Sequence, residues 1–288
     1  MTPASVIVFC PGHISGYFKR INGTTPATTG SIGAGIVISE GVTATVTAAD
    51  TTSICIRQGN AAGEYRNSAH SSPPIEFVLK KLGLAARIIT ECRLPISAGF
   101  GLSAAALLAT LTAVTRLYDL DLTPHDIAMY AHESEVLHRT GLGDVAACQG
   151  GGRVERKSPG IDGEIRRTFD VTEPLYSVSF GPIHTPSVLS SPDQMDRIAS
   201  AFPATPPKNL LEFFASSNQF AENAGLITPE VRTVLTAAAY ENVPVSMTML
   251  GNGVFGYGRK AQTLLMQFGT VSEFSMAREG TRITGENP

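Results

Sequence analysis

The stretch PISAGFGLSAAALLATLTAVTRLYDL, Pro95–Leu120, sets two glycines, Gly99 and Gly101, and a lone serine, Ser103, directly against an alanine- and leucine-rich run. The run has strong helix propensity, with Leu107, Leu108, Leu111 and Val114 at core spacing. A flexible turn therefore abuts a helix N-terminus. Two readings compete. One is a tight turn with close packing behind it, since glycine takes positive φ and has no Cβ. The other is an anion cradle, in which bare backbone and the free N–H groups of the helix start face a phosphate. The turn by itself divides evenly between them.

Two familiar phosphate motifs serve as templates. The Walker pattern needs Gly-Lys-Ser/Thr, and no lysine occurs between Pro95 and Tyr118. The dinucleotide pattern G-x-G-x-x-G/A is met by Gly99, Gly101 and Ala104, with Asp119 near the distance of a ribose partner. That pattern opens a first βαβ unit, however, and several β-rich runs precede it here. A nicotinamide-dependent oxidoreductase is thus disfavoured by context.

Composition narrows the classes further. The 288 residues are 43% hydrophobic and 16% charged, enough for one large domain or two smaller ones. A net charge of −3 offers no basic excess for nucleic acid. No apolar run is long enough to predict a membrane span, and the N-terminal MTPASVIVFCPGH lacks the pattern of a signal peptide. Cys10, Cys55, Cys92 and Cys148 show no paired metal spacing and read as buried free thiols of a cytoplasmic protein.

The chain reads as mixed strand and helix. Ser5–Cys10 is β-rich and is expected to end at Pro11-Gly12, and residues 30–38 and 42–48 form two more runs parted by a Glu40-Gly41 turn. Residues 53–58 and 86–93 follow as strands, and 75–82 as a helix. After the helix that starts near Ser103 and ends about Tyr118, Thr123, Pro124 and Asp126 mark the start of another, which runs to about His138. A short segment at 144–149, a break at Gly150–Gly152 and a hairpin near 158–163 come next. Beyond residue 170 the pattern is a strand in YSVSF, helices near 194–200, 208–223 and 229–240, a strand in VSMTML, a helix near 261–268 and a strand at 271–276. Elements that do not alternate strictly predict an α+β fold. The expected division is 1–169 and 170–288.

Chemistry enters with AHESEVLHRTGLGDVAACQGGG, Ala131–Gly152. Taken singly, Asp144 after Gly141-Leu142-Gly143 is an ordinary N-cap, and Glu133 an ordinary helix-surface carboxylate. Taken with Ser103, they match what phosphoryl transfer requires: positioned phosphates, Mg²⁺ and a group that orients or deprotonates the nucleophile. Ser103 and Glu133 supply the one or two protein oxygens Mg²⁺ takes, leaving Asp144 to act on an acceptor hydroxyl. MTMLGNGVFGYG, Met247–Gly258, is a hairpin turn or a second glycine loop across a cleft.

These pieces, in this order, resemble the GHMP kinase superfamily and its motif P-x-x-x-G-L-G-S-S-A-A. Pro95, Gly99, Gly101, Ser103, Ala104 and Ala105 match it, while Phe100 replaces a leucine and Leu102 a serine. Glu133 stands eleven residues before Asp144, a spacing the superfamily uses, and LGNGVFG fits its C-terminal glycine loop loosely. PGHISGYF, TTGSIGAGIVI and AGFGLSAAALL resemble the archaeal pantoate kinases in particular. His13 occupies the position where other members carry lysine or arginine, and no Gly-Glu-His follows.

The resemblance implies a two-domain α+β fold with the active site in the interdomain cleft. It implies that Pro95, Gly99, Gly101, Leu102, Ser103 and Ala104 hold the phosphates of ATP, that Ser103 and Glu133 hold Mg²⁺, and that Asp144 is catalytic. The implied reaction converts ATP and pantoate to ADP and 4-phosphopantoate, on a route to coenzyme A. A substrate carboxylate calls for an arginine. Arg156 is the expected partner, with Arg153 its competitor because residues three apart on a strand face opposite sides. Ser31, His132 and Thr185 are the further polar candidates. The implied partner is a small molecule, and a homodimer fits the reading. The alternatives are a related kinase for another small hydroxy acid or alcohol, and a catalytically silent binding module on the same fold.

Overall fold

The computed structural model describes residues 3–60, 63–183 and 185–288. Its first two strands, β1 (Ser5–Ile21) and β2 (Gly30–Ala48), pair antiparallel along their whole length. Pro11-Gly12 does not end β1, and Glu40-Gly41 is not a turn. The register instead slips from Pro11↔Gly41 to Gly12↔Ile38, so the expected breaks are one bulge in a single bent ribbon. A bulge tolerates proline, which has no N–H for the ladder, and bends the strand where pairing would otherwise continue flat. Gly41 is needed there, since a Cβ would lie 2.0 Å from the Cys10 carbonyl oxygen.

The strands β3 (Ser53–Gly59) and β4 (Tyr65–Ala69), the helix α1 (Pro73–Leu82) and the strand β5 (Ala86–Cys92) extend this sheet. The exposed sequence YRNSA of β4 has no apolar alternation to announce it. Then come α2 (Leu102–Leu117), α3 (Pro124–His138), α4 (Asp144–Cys148) and the hairpin strands β6 (Arg153–Arg156) and β7 (Ile165–Thr168). α3 begins in the expected capping box, with Thr123 and Asp126 bonding each other's backbone N–H. α2 packs on β1 and β2, and β6 pairs the upper half of β2 while β5 pairs the lower. The bend in β2 is thus what brings two different partners to one strand.

The second sheet is built from β8 (Leu175–Gly181), β9 (Val245–Met247), β10 (Asn252–Tyr257) and β11 (Ser272–Phe274), in the order β11-β8-β10-β9. With it go α5 (Thr185–Ser190), α6 (Pro192–Ala201), α7 (Leu210–Asn223), α8 (Pro229–Tyr240) and α9 (Gly258–Leu265). The last strand, β12 (Arg282–Asn287), returns to the free edge of β1 in the first sheet, with Ser5 opposite Asn287. A cut at residue 170 therefore does not part the sheets. β12 is almost wholly exposed and its pairing is long-range, so it leaves no local pattern.

The mixed architecture is the expected α+β. One continuous apolar core runs through both sheets. At its centre Phe213 of α7 lies 6.5 Å from the Tyr17 ring of β1 and 6.4 Å from the Phe255 ring of β10, joining the two halves. Gly16 makes this possible, because a Cβ there would sit 2.6 Å from the Phe213 ring. Phe213→Ala should cost about 3–5 kcal/mol of folding stability, read as a lower denaturation midpoint by urea titration. Loss confined to the second half of the chain would contradict a shared core.

Candidate active site

A cavity of about 420 Å³ opens between the glycine turn, the α3–α4 segment and the loops of the second sheet. Its geometry starts at the turn. Gly99 takes φ +85° and Gly101 φ +62°, and Gly101 is the N-cap of α2 with no side chain bonded to the helix start. The first N–H groups of α2 are thus left for an anion, with the positive end of a sixteen-residue helix behind them. Gly99, Gly101, Leu102 and Ser103 line the cavity. Pro95 sits outside the lining, and Ala104 is fully buried in the first turn of α2, so these two shape the turn from behind.

The second glycine loop is built against the first. A Cβ at Gly99 would lie 2.9 Å from the Met249 carbonyl oxygen, and one at Gly251 only 2.0 Å from that of Ala98. Leu250, at φ +60°, and Met249 complete the wall. The two loops meet at bare backbone, which is why glycine recurs in both.

Asp144 stands at the start of α4. Its Oδ1 lies 2.7 Å from His13 Nδ1. Burial opposes ionisation of Asp144, but the His13 bond and the nearby Arg156 guanidinium outweigh it and hold the carboxyl below its usual range. Burial lowers the affinity of His13 for a proton despite Asp144, so a neutral ring donates Nδ1–H to the carboxylate. The other ring nitrogen, Nε2, is buried without a partner among the described residues. Gly35 leaves the space for it, since a Cβ there would be 2.2 Å away.

Glu133 is not brought to this cavity. It pairs with Lys81 of α1 on the outer side of α3. Glu135, two residues on, faces inward and is 1% exposed. Positions two apart on a helix point to nearly opposite sides. The buried stripe Ile127, Ala128, Ala131, His132, Ser134 and Glu135 carries the signal that separates them. Thr140 donates to Glu135 Oε1 at 3.0 Å, and Ser103 bonds the same carboxyl. Burial, and then the neighbouring Asp144 charge, push Glu135 up to about 8. Both carboxylates converge over Gly141, where a Cβ would lie 2.1 Å from Glu135 Oε2 and 3.1 Å from Asp144 Oδ2.

The polar candidates divide likewise. A Cβ at Gly143 would meet Ser31 Oγ at 2.5 Å and Arg156 Nε at 2.6 Å, so both side chains converge over bare backbone next to Asp144. Arg156 is 4% exposed, and its Nε and Nη1 have no partner among the described residues. Arg153 is spent instead on a bidentate pair with Asp170, its Nη2 2.6 Å from Oδ2. Thr185 lines the far wall. His132 does not reach the cavity; its Nε2 lies 2.7 Å from the Thr29 carbonyl oxygen, bracing the strand that carries Ser31. Among the described residues no group of three or more His, Cys, Asp and Glu forms a metal cage. A hard, oxygen-only set of Ser103 and Glu135 fits a Mg²⁺ ion that arrives with nucleotide phosphates.

The described residues contain no helix long and apolar enough to cross a membrane. Residues 73–152 match the family model described as GHMP kinases N terminal domain. The chain is 48% identical to a pantoate kinase of Methanospirillum hungatei over 278 residues, 96% of each chain. It is 29% identical to a pantoate kinase of Methanocaldococcus jannaschii over 267 residues, covering 88% of this chain and 93% of the relative. A solved structure described as a phosphotransferase related to the CoA biosynthesis pathway superposes with a TM-score of 0.78 at 25% identity, covering 98% of this chain and 99% of its own. The glycine turn at a helix start, the two carboxylates over Gly141 and the extent of these likenesses agree: the chain belongs to the pantoate kinases of the GHMP kinase superfamily.

Proposed function

We propose that this protein transfers the γ-phosphoryl group of ATP to a hydroxyl of pantoate, giving 4-phosphopantoate and ADP on a route to coenzyme A. The observation that carries the reading is the buried, unpartnered Nε and Nη1 of Arg156 beside an ionised Asp144. A buried guanidinium with free donors calls for an anion, and a carboxylate is the anion it grips best. Asp144 next to it calls for a hydroxyl. A small hydroxy acid answers both at once. Ser31 and Thr185 offer the remaining hydroxyl contacts.

The chain's own groups divide the work. The free N–H groups at the start of α2 hold the phosphates from one side. Asp144 accepts the hydrogen bond of the attacking hydroxyl, and takes its proton as the new O–P bond forms and the bond to ADP breaks. His13 keeps Asp144 ionised and fixed in orientation through Nδ1–H. Ser103 and Glu135 are the residues that would hold Mg²⁺ in this reading, and the ion would supply positive charge against the nucleotide phosphates. The four free cysteines fit a reducing cytoplasm.

Four outcomes test these assignments. Asp144→Asn should lower kcat by about 10²–10⁴-fold while the KM for ATP stays near wild type; near-normal kcat would remove Asp144 from the chemistry. Arg156→Met should raise the KM for pantoate at least about 30-fold, since truncating a buried charge partner costs about 2–5 kcal/mol. An assay of ADP release against pantoate, pantothenate, mevalonate and homoserine shows whether the acceptor is the right one. The fourth concerns Glu135, whose folded pKa of about 8 lies above its ordinary value of 4.5. Its neutral form is favoured in the fold, so its penalty on apo-protein stability grows as pH rises from 4.5 and is complete above about 8. Mg²⁺ binding in the presence of ADP at pH 7 should then release roughly one proton, seen by calorimetry in buffers of different ionisation enthalpy. Glu135→Gln should abolish the release and Glu133→Gln should leave it; the reverse pattern would return the role to Glu133.

A further inference from the structure

Arg167 of β7 lies outside the cavity, outside every motif of the sequence, and in no ion pair among the described residues. Its Nη1 donates to the carbonyl oxygens of Ala147 and Gly151, both at 2.9 Å, and its Nη2 to that of Ala146 at 3.0 Å. Placing a guanidinium charge in a part-buried site against main-chain dipoles alone is costly unless the geometry returns something. Here it closes the carboxyl end of α4. That helix has five residues, too few to be stable alone, and its last turn leaves carbonyls for partners outside the ladder, with the N–H groups of Gln149 and Gly150 both directed at that of Ala147. A cation at the C-terminus satisfies those carbonyls and opposes the negative end of the helix. Gly150 admits the group, since a Cβ there would lie 3.0 Å from Arg167 Cζ.

The other end of α4 is Asp144. The strand that carries Arg167 pairs with β6, where Val154 stands opposite Arg167 and Arg156 opposite Ile165. One side chain therefore ties the helix of Asp144 to the hairpin of Arg156. We propose that Arg167 is a positioning residue for phosphoryl transfer, holding the carboxylate that receives the hydroxyl proton at a fixed separation from the guanidinium that binds the acceptor. The proposal rests on the roles given above to Asp144 and Arg156. Loosening α4 displaces the reacting hydroxyl from the phosphorus but leaves the α2 turn, and hence nucleotide binding, in place.

The test compares Arg167→Lys with Arg153→Lys. Lysine keeps the charge and cannot reach three carbonyls with a planar fork. Arg153 is an equally fixed arginine on the neighbouring strand whose bonds go to Asp170. Arg167→Lys should lower kcat with pantoate by about 10–100-fold, as misplacement by an ångström does, with the KM for ATP within twofold of wild type. Arg153→Lys should lower Tm comparably and leave kcat within about threefold. If Arg167→Lys keeps wild-type kcat, or if both variants lose kcat in proportion to Tm, Arg167 is only scaffold. Should Arg167→Lys fail to fold, Gly150→Ala decides: it crowds the guanidinium without removing a donor, and a fall in kcat at constant KM for ATP supports the role while unchanged kcat overturns it. An inactive wild type overturns the functional reading and this proposal together; an active wild type with an unaffected Arg167→Lys overturns this proposal alone.

Discussion

The 2.7 Å bond between His13 Nδ1 and Asp144 Oδ1 is the joint on which the site depends. It connects the bulged ribbon β1–β2 to a five-residue helix that nothing local would hold in place. Asp144 is part-buried among charges of both signs: Arg156 and His13 favour its ionisation, and Glu135 suffers from it. Such a group ionises only if the surrounding groups are held still. Much of the architecture reads as the means of holding them. The bulge at Pro11-Gly12 turns His13 under the glycine turn, where its N–H donates to the Phe100 carbonyl oxygen at 2.9 Å.

A second constraint is close approach of backbone to backbone. Gly99 and Gly251 let the two glycine loops touch, Gly141 leaves room for two carboxylates, and Gly143 for Ser31 and Arg156. Each is a place where a single methyl group would displace a functional atom. The cavity is thus shaped as much by absent side chains as by present ones. His132, a substrate-contact candidate from the sequence, and Arg153, the competitor of Arg156, are instead spent on bracing: one on the Thr29 carbonyl, the other on Asp170.

The site buries two ionisable groups with little compensation from the protein: the Glu135 carboxyl is bonded by the hydroxyls of Ser103 and Thr140, and Arg156 Nε and Nη1 meet no partner among the described residues. Leaving such groups unpaired costs stability, and binding of nucleotide, metal and acceptor would repay it together. That links affinity to pH for the carboxylate, and to the chemistry of the acceptor for the arginine. The core behind them, joined through Phe213, supplies the rigidity.

The sequence by itself determined what depends on short spacing. The turn against α2 and the capping box of α3 rest on residues within one or two turns of each other, where composition and periodicity speak directly, and the α+β character follows from the order of such local elements. Arg156 over Arg153 was left open, because which face of a strand looks into a cleft is set by the sheet it joins. Glu135 in place of Glu133 was legible in the inward stripe Ile127, Ala128, Ala131 of α3, but spacing to Asp144 pointed to the other face. Only the tertiary structure decided the rest. The continuous β1–β2 ribbon, the return of β12 to the first sheet, the His13 bond and the grip of Arg167 on α4 all join residues far apart in the chain. Long-range pairing leaves no period in the sequence; it is fixed by which surfaces remain to be covered once the local elements have formed.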